Sequence, residues 1–245
     1  MLSPYLGREI YDTSQSNVPD STSMSQPTPL QAPLVLRQLQ LGPMQNFVYL
    51  IGDGETRESA VVDAGWDVSA ILNAAAEDDL KITSILLSHN HFDHINAVAP
   101  LLEKVSAPVY IHKGDMHKLQ GQGFDSYLRP VETEEEIAIG KTRVRFLHTP
   151  GHTPGSITFK VHDAIVTGDT LFVGACGRFD MAGGDAAVMY DSLMRLARLD
   201  GATIVFPGHD YGDRAASTIA HENATNPYLR FGSLQGFMRG VGAAL

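Results

Sequence analysis

The sequence predicts an α/β fold in which two β-sheets pack face to face and helices cover their outer surfaces. Short apolar segments rich in β-branched residues recur from residue 34 onwards, and such segments are typical of strands. Amphipathic helical segments occur in both halves of the chain. Because every sheet and helix must bury its apolar face, this set of elements favours a layered fold with helices outside.

The first half of the chain alternates predicted strands with predicted helices. The strands cover residues 34–41, 46–52, 60–63, 82–88 and 108–112. Asp67 is a suitable N-cap for a helix that extends to about Asp78. A second helix is predicted over residues 93–105. Its expected buried side consists of Ile95, Val98, Leu101 and Leu102.

The second half follows the same pattern. Its predicted strands cover residues 142–147, 156–161, 164–167 and 203–206. Helices are predicted over residues 185–199 and from Asp213 to about Asn223. The expected buried side of the first of these helices consists of Val188, Leu193, Leu196 and Leu199. The two halves are too dissimilar in sequence to indicate a repeat.

Residues 1–33 are predicted to be a flexible tail, and residues 34–245 a single domain. The tail is rich in Ser, Pro, Gln and Asn, a composition that cannot build an apolar core. The net charge of −10 argues against a nucleic-acid or anionic-membrane partner. The single cysteine, Cys176, excludes an internal disulfide, and together with the absence of a secretory signal it favours a cytoplasmic location. The oligomeric state stays open.

The most informative segment is Ser88-His89-Asn90-His91-Phe92-Asp93-His94. Histidine and aspartate are preferred ligands of zinc and similar metals. Residues two apart share a side in an extended segment but not in a helix, so His89 and His91 are expected to project together from the end of a strand. Asp93 and His94 are then expected to begin the next helix.

Three later segments provide further candidate ligands at strand ends, each beside a glycine. These ligands are His152 in Thr-Pro-Gly-His-Thr, Asp169 in Thr-Gly-Asp-Thr and His209 in Pro-Gly-His-Asp. Glycine lets the backbone approach a bound ion closely. Each segment alone is weak evidence for a metal site, but together with the first cluster they predict one.

In this order the motifs resemble those of the metallo-β-lactamase superfamily. The resemblance extends from about Leu34 to the C-terminus and implies a four-layer αββα sandwich with a dinuclear metal site at one edge. It implies that one metal is held by His89, His91 and His152. It implies that the other is held by Asp93, His94 and His209.

By the same resemblance Asp169 bridges the metals, and Asp63 lies close behind the ligands. Seven nitrogen and oxygen ligands exceed what one tetrahedral zinc requires, which agrees with two divalent metals, zinc being preferred over iron or manganese. A water shared by such ions has a pKa near about 7, so hydroxide becomes available to attack a carbonyl. Asp93 and Asp169 are the carboxylates expected to take part in catalysis.

The segments around His152, Asp169 and His209 resemble the glyoxalase II group and its persulfide dioxygenase relatives. This resemblance implies a small-molecule thioester substrate carried on glutathione, with S-D-lactoylglutathione as the model compound. Only some thirty-five residues follow His209, so the C-terminal helical domain of long glyoxalase II enzymes is missing, as in compact bacterial forms. Arg178 is the candidate contact for a substrate carboxylate, and a structural ion pair is the other interpretation.

The same motifs leave three other functions as alternatives. A persulfide dioxygenase would use one Fe(II) on His89, His152 and Asp169. A β-lactamase is disfavoured because those enzymes, by resemblance, lack a bridging carboxylate at the position of Asp169. A non-catalytic zinc domain is disfavoured because structural zinc sites are usually closed, four-coordinate and rich in cysteine.

Overall fold

The computed structural model describes residues 33–243. The predicted tail therefore lies outside the described residues, apart from Pro33. Two six-stranded sheets, a two-stranded ribbon and seven α-helices make up the described chain. Within residues 33–243 no helix has both the length and the apolar character needed to cross a membrane.

The first half forms one mixed sheet whose strands lie in sequence order. Its strands are β1 (Leu34–Leu41), β2 (Asn46–Asp53), β3 (Glu58–Val62), β4 (Lys81–Leu86), β5 (Val109–His112) and β6 (Leu128–Val131). The pairs β1–β2 and β2–β3 are antiparallel, and the remaining pairs are parallel. The connecting helices are α1 (Val68–Glu77), α2 (Phe92–Ile95), α3 (Val98–Leu102), α4 (Lys113–Met116) and a 3-10 turn at Asp125–Tyr127.

The second half forms the other sheet, in the order β14-β13-β10-β9-β8-β7. In chain order its elements are β7 (Glu136–Ile139), β8 (Thr142–His148), β9 (Ile157–Val161), β10 (Ala164–Gly168), the ribbon strands β11 (Leu171–Phe172) and β12 (Ala175–Cys176), α5 (Ala186–Leu196), β13 (Ile204–Pro207), β14 (Ser217–Thr218), α6 (Ile219–Thr225) and α7 (Leu234–Val241). Strands β10 and β13 are parallel, so both end at the same edge of the sheet.

The apolar side chains form three layers, which confirms the predicted αββα architecture. The central layer joins the two sheets, and alternate residues of β2 face it, among them Tyr49 and Ile51. The intervening residues Val48 and Leu50 face α1 and α3 on the outside of the first sheet. This two-sided packing explains why every residue of β2 is buried. The third layer packs α5 and α7 on the second sheet.

Two predicted helices have different boundaries in the structure. The helix predicted over residues 93–105 is broken between α2 and α3, because the backbone N–H of Ala97 donates to the carbonyl of Ala64 instead of continuing the helix. The helix predicted from Asp213 begins only at Ile219. Residues 217–218 pair with β13 as a short strand, and the side chain of Thr218 caps the helix that follows.

The prediction that Val188 faces the core was wrong. Val188 is exposed, whereas its neighbour Met189 is fully buried. The backbone of Met189 lies so close to Gly151 that a Cβ on that glycine would meet it at 2.4 Å. This contact with the turn before His152 sets which side of α5 faces inward. Helix α1 agrees with its prediction, since the side chain of Asp67 accepts a hydrogen bond from the N–H of Ala70.

Candidate metal centre

The candidate ligands converge at one edge of the sandwich, in loops that follow β4, β8, β10 and β13. An isolated bridge between Asn46 and His209 joins the two halves at this edge. The backbone N–H of Phe47 also donates to the carbonyl of Gly208 at 2.8 Å. Residues more than a hundred positions apart in the sequence are thereby placed side by side.

One cluster consists of His89, His91 and His152, whose ligand atoms all lie within 4.8 Å of one another. The Nε2 atom of His152 faces the Nδ1 atom of His91 at 2.9 Å. The Nε2 atom of His89 is buried and has no hydrogen-bond partner. Three imidazoles therefore direct nitrogen atoms toward one small volume.

A second cluster consists of Asp93, His94 and His209, again with ligand atoms within 4.8 Å of one another. The Nε2 atoms of His94 and His209 face each other at 3.1 Å. The Oδ2 atom of Asp93 lies 3.3 Å from the first of these nitrogens and 3.4 Å from the second. This cluster adjoins the first one, because the rings of His89 and His94 have centroids 4.2 Å apart.

Asp169 contacts both clusters. Its Oδ2 atom lies 3.4 Å from Nε2 of His152 in the first cluster and 3.4 Å from Nε2 of His209 in the second. Its Oδ1 atom lies 3.4 Å from Nε2 of His94 and has no hydrogen-bond partner. A buried carboxylate in this position is suited to contact two cations at once.

The donor set fits divalent metals. Imidazole and carboxylate are the ligands that zinc, iron and manganese accept, and the set has more donors than one tetrahedral ion uses. Buried polar atoms normally have partners, so the unpartnered Nε2 of His89 and Oδ1 of Asp169 are atoms that could bind a metal.

The electrostatics of the clusters agree with this role. Burial lowers the pKa of His89 well below its ordinary value, and the neighbouring imidazole of His94 lowers it further. The neutral ring is the form that binds metals. Burial also lowers the pKa of His94, but the carboxylates of Asp169 and Asp63 outweigh burial and hold it well above its ordinary value. The second cluster therefore favours a positive charge.

The two carboxylates of the site are held ionised. Burial by itself would raise their pKa values. For Asp93 the hydrogen bond and charge of His94 outweigh burial, and for Asp169 the charge of His94 and the contact with His209 do so. Both pKa values consequently lie below the ordinary range of aspartate, and neither group is a proton donor at neutral pH.

Asp63 lies behind the ligands and has no free oxygen. Its Oδ2 atom lies 3.0 Å from Nδ1 of His94 and accepts a 2.6 Å hydrogen bond from the hydroxyl of Ser88, while Oδ1 accepts from the Ser88 N–H at 2.7 Å. The Ser88 hydroxyl also lies 2.9 Å from Nδ1 of His89. One carboxylate thus orients two imidazoles, which is the usual function of groups behind metal-binding histidines.

Other ligands are held by backbone carbonyls. The Nδ1 atom of His152 lies 2.6 Å from the carbonyl oxygen of Arg178, and Nδ1 of His209 lies 2.9 Å from that of Met44. A carbonyl can only accept, so Nδ1 of each ring is protonated and Nε2 is left to face the centre.

Asn46 is a further support. Its amide donates to Oδ2 of Asp93 at 2.8 Å, and its Oδ1 accepts from the indole N–H of Trp66 at 2.7 Å. The side chain is almost completely buried. Asn46 therefore fixes the orientation of Asp93 relative to a large aromatic ring.

Two glycines create the space that these side chains occupy. Gly168 has a φ of +48°, and a Cβ at this position would lie 2.4 Å from Oγ of Ser88. A Cβ on Gly208 would lie 2.4 Å from Oδ1 of Asp169. Glycines at these strand ends were predicted to let the backbone approach an ion, whereas Gly168 and Gly208 make room for the side chains of Ser88 and Asp169.

This arrangement of ligands within two packed sheets is matched by a known family. Residues 41–209 match the family model described as the Metallo-beta-lactamase superfamily. The chain belongs to this superfamily. The match includes all seven candidate ligands, from His89 to His209.

Curated metallo-β-lactamase relatives carry several different names. The chain is 32% identical over 195 residues to the probable polyketide biosynthesis zinc-dependent hydrolase PksB of Bacillus subtilis, covering 79% of this chain and 86% of the relative. It is 30% identical to the mitochondrial persulfide dioxygenase ETHE1 of Bos taurus, covering 84% and 80%. It is 32% identical to a hydroxyacylglutathione hydrolase of Anaeromyxobacter dehalogenans, covering 76% and 82%.

Solved structures of the superfamily are equally varied. ETHE1 from Myxococcus xanthus superposes with a TM-score of 0.74 at 34% identity, covering 84% of this chain and 88% of that one. TTHA1623 in a di-iron-bound form gives 0.69 at 34% identity, covering 79% and 100%. The BLEG-1 B3 metallo-beta-lactamase gives 0.71 at 30% identity, covering 80% and 100%. These relatives share the superfamily and differ in the chemistry named for them.

The side chain of Arg178 lies on the protein surface, where it is paired with a carboxylate. It is 69% exposed and forms a two-bonded ion pair with Asp180, with N–O distances of 2.9 and 3.0 Å. Its backbone carbonyl, in contrast, contacts His152. The structure thus contains the ion pair that was the second interpretation of this residue, and a contact with substrate stays a prediction.

Two side chains that support the site were not predicted from the sequence. Asn46 is one of them, and Asp115, which accepts hydrogen bonds from Thr153 and Gly155 in the His152 turn, is the other. Neither belongs to a motif, since each is a single polar residue in or beside a short element. His148 lies beside the same turn, and its Nε2 atom lies 2.9 Å from the carbonyl oxygen of Pro154. Its ring also stacks on His112, with centroids 3.9 Å apart.

Proposed function

We propose that the protein is a metal-dependent hydrolase that cleaves a thioester. The observation that supports this most strongly is the position of Asp169, whose carboxylate contacts two adjoining sets of metal-binding side chains. Two cations held this way are typical of hydrolytic sites. S-D-lactoylglutathione is the first substrate to test, because several relatives are named hydroxyacylglutathione hydrolases.

In this proposal His89, His91 and His152 hold one divalent metal, and Asp93, His94 and His209 hold the other, with Asp169 shared. Zinc, iron and manganese all suit such ligands. When bound, the metals supply a water-derived nucleophile and a Lewis acid for the carbonyl. Asp63, Ser88 and Asn46 keep the ligands in position.

The ionised state of the two carboxylates favours one kind of leaving group. Asp93 and Asp169 have lowered pKa values and cannot donate a proton at neutral pH. A thiol has an ordinary pKa near about 8.5, so a thiolate leaves with little help from an acid. An amine or alkoxide needs a proton donor much more. A thioester therefore suits this site better than an amide or an ordinary ester.

The second candidate is a persulfide dioxygenase that uses one iron on His89, His152 and Asp169. It is supported by the matches to ETHE1 proteins in both the sequence and the structure comparisons. The same side chains would serve both reactions, so the bound metal and the consumption of oxygen must distinguish them.

The deciding experiment measures metal content and two activities on the same full-length preparation. We expect close to two metals per chain, hydrolysis of S-D-lactoylglutathione or another acylglutathione, and no oxygen uptake with glutathione persulfide. Oxygen uptake by protein with a single iron would replace the proposal with the dioxygenase. His89→Ala should lose metal and hydrolysis, whereas His117→Ala, at an exposed histidine away from the clusters, should retain both.

A further inference from the structure

A large aromatic side chain is exposed within the metal-binding segment itself. Phe92 lies between His91 and Asp93 in the sequence and is 71% exposed, the highest value among the large apolar residues of the described chain. Phe92 contributes little to the core, since the buried side chains of α2 are those of Asp93, His94 and Ile95. An exposed apolar ring beside a candidate active site is typical of ligand binding.

Trp66 provides a wall next to Phe92. The two rings meet edge to face, with centroids 6.3 Å apart and an interplanar angle of 89°. Trp66 is held rigidly, because its backbone N–H donates to Asn96 at 2.6 Å and its indole N–H donates to Asn46 at 2.7 Å. The same Asn46 amide group contacts Asp93, so this wall is tied directly to the second cluster.

The turn between β1 and β2 extends the apolar surface. Gly42 packs so closely on the Trp66 ring that a Cβ there would meet the indole at 2.3 Å. Two residues later, Met44 is 45% exposed, and its carbonyl oxygen holds Nδ1 of His209. Met44, Trp66 and Phe92 are here called the apolar rim. Each of them is linked through at most one side chain to a residue of the second cluster.

Tyr211 is also exposed near the site, but its ring is already engaged. It stacks on the imidazole of His209, with centroids 4.6 Å apart and planes within 9°. The rings of Phe92 and Trp66 have no comparable contact with a metal-binding side chain. The aromatic rings of the rim are therefore exposed without stacking on a candidate metal ligand, unlike the ring of Tyr211.

We propose that this rim binds an apolar acyl chain of the substrate. The protein then prefers thioesters with longer, unbranched acyl chains over those with short chains such as acetyl or hydroxylated chains such as lactoyl. The proposal rests on the thioester hydrolysis proposed above. The acyl carbon chain begins at the carbonyl that the clusters attack, and Phe92 is adjacent in sequence to a residue of each cluster. A polar group placed against these rings would lose water without gaining a hydrogen bond.

The kinetic test compares acyl groups on one thiol. Acetyl-, D-lactoyl-, butanoyl- and hexanoylglutathione share the carrier and differ only in the acyl chain. We expect kcat/KM to rise with chain length and to be at least about tenfold higher for hexanoyl than for acetyl, since each methylene in an apolar pocket favours the longer substrate. Equal values, or a preference for lactoyl, would overturn the proposal.

Substitutions at Phe92 test whether the rim causes the dependence of kcat/KM on acyl chain length. Phe92→Ala should reduce the ratio of hexanoyl to acetyl turnover toward one, and Phe92→Leu should restore much of it. Leu234→Ala is the control, because Leu234 is also an exposed apolar side chain but lies on α7, in the outer layer. A ratio unchanged by Phe92→Ala would show that another surface selects the acyl chain.

A binding measurement separates this proposal from the proposed function. Trp66 is the only tryptophan of the chain, so intrinsic fluorescence of the full-length, metal-loaded protein reports on the rim. Hexanoate should change the emission at concentrations at least about tenfold lower than acetate or D-lactate. Tight hexanoate binding without any thioester cleavage would overturn the hydrolase and retain the rim, whereas equal binding of all three acids would overturn the rim.

Discussion

The hydroxyl of Thr153 donates a 2.7 Å hydrogen bond to the carboxylate of Asp115. The backbone N–H of Gly155 donates to the other oxygen of the same carboxylate at 2.7 Å. Asp115 is completely buried and lies on α4, in the first half of the fold, whereas Thr153 follows His152 in the second half. The turn that carries His152 is therefore anchored to the half of the molecule that carries His89 and His91.

Removal of this anchor should weaken metal binding. We expect Asp115→Ala to reduce metal affinity about 10- to 100-fold, as is usual for groups that orient metal ligands, because the turn can then move His152 away from His91. The measurement is metal content after dialysis against a graded series of chelator concentrations. Asp125→Ala is the control, since Asp125 is exposed and caps only the loop at Gly121. Equal metal retention in both variants would contradict the anchoring role.

The shared position of Asp169 leads to a prediction about stoichiometry. Because its carboxylate contacts both clusters, Asp169→Ala should lower the occupancy of both metals together. Metal content by elemental analysis, combined with a spectroscopic metal such as Co²⁺, can count the remaining sites. Asp180→Ala, which removes an exposed carboxylate that pairs with Arg178, should leave two metals. A variant that loses one metal and binds the other normally would exclude a bridging Asp169.

Asp53 should contribute to stability in a pH-dependent way. Burial would raise its pKa, but hydrogen bonds from the backbone N–H groups of Thr56, Glu55 and Lys141 outweigh burial and lower the pKa to about 2. A lowered folded-state pKa stabilises the fold above the unfolded value near about 3.9, and this contribution is lost as the pH falls from about 4 to about 2.

Asp53→Asn is therefore expected to lower the free energy of unfolding by about 1–3 kcal/mol at pH 7, because it removes acceptors for buried donors. The difference from the unsubstituted protein should shrink below about pH 4. Urea denaturation at several pH values measures both effects, with Asp191→Asn on the exposed side of α5 as the control. A difference that is constant from pH 7 to pH 3 would contradict the assignment.

Cys176 should react slowly in the folded protein. Burial raises the pKa of its thiol to about 12, so very little thiolate is present at pH 8. The thiolate is the reactive form, and alkylation by iodoacetamide should be at least about a hundredfold slower than in the urea-unfolded chain. Mass spectrometry of timed samples measures the rate. Rapid labelling of the folded protein at pH 8 would show that the thiol is activated.

The sequence predicted features that depend on neighbouring residues. Alternating apolar residues located β1, and the single carboxylate of Asp67 located the start of α1. The spacing of His89 and His91 indicated that both follow a strand, because two-residue spacing places side chains together only in extended chain. The motifs also predicted the superfamily, and the αββα layers confirm that fold.

The way in which the candidate ligands face one another, and the contacts that hold them, depend on the packing of the two halves of the chain. Local pattern could not show that α2 ends at Ile95 or that Asn46 and Asp115 support the site, because the contacts responsible join elements distant in the sequence. The position of Asp169 between the clusters likewise depends on the packing of the two sheets. Residue type and order determine which groups can bind a metal, whereas packing of separate strands determines which of them meet, since side chains far apart in the chain are brought together only when the common core is buried.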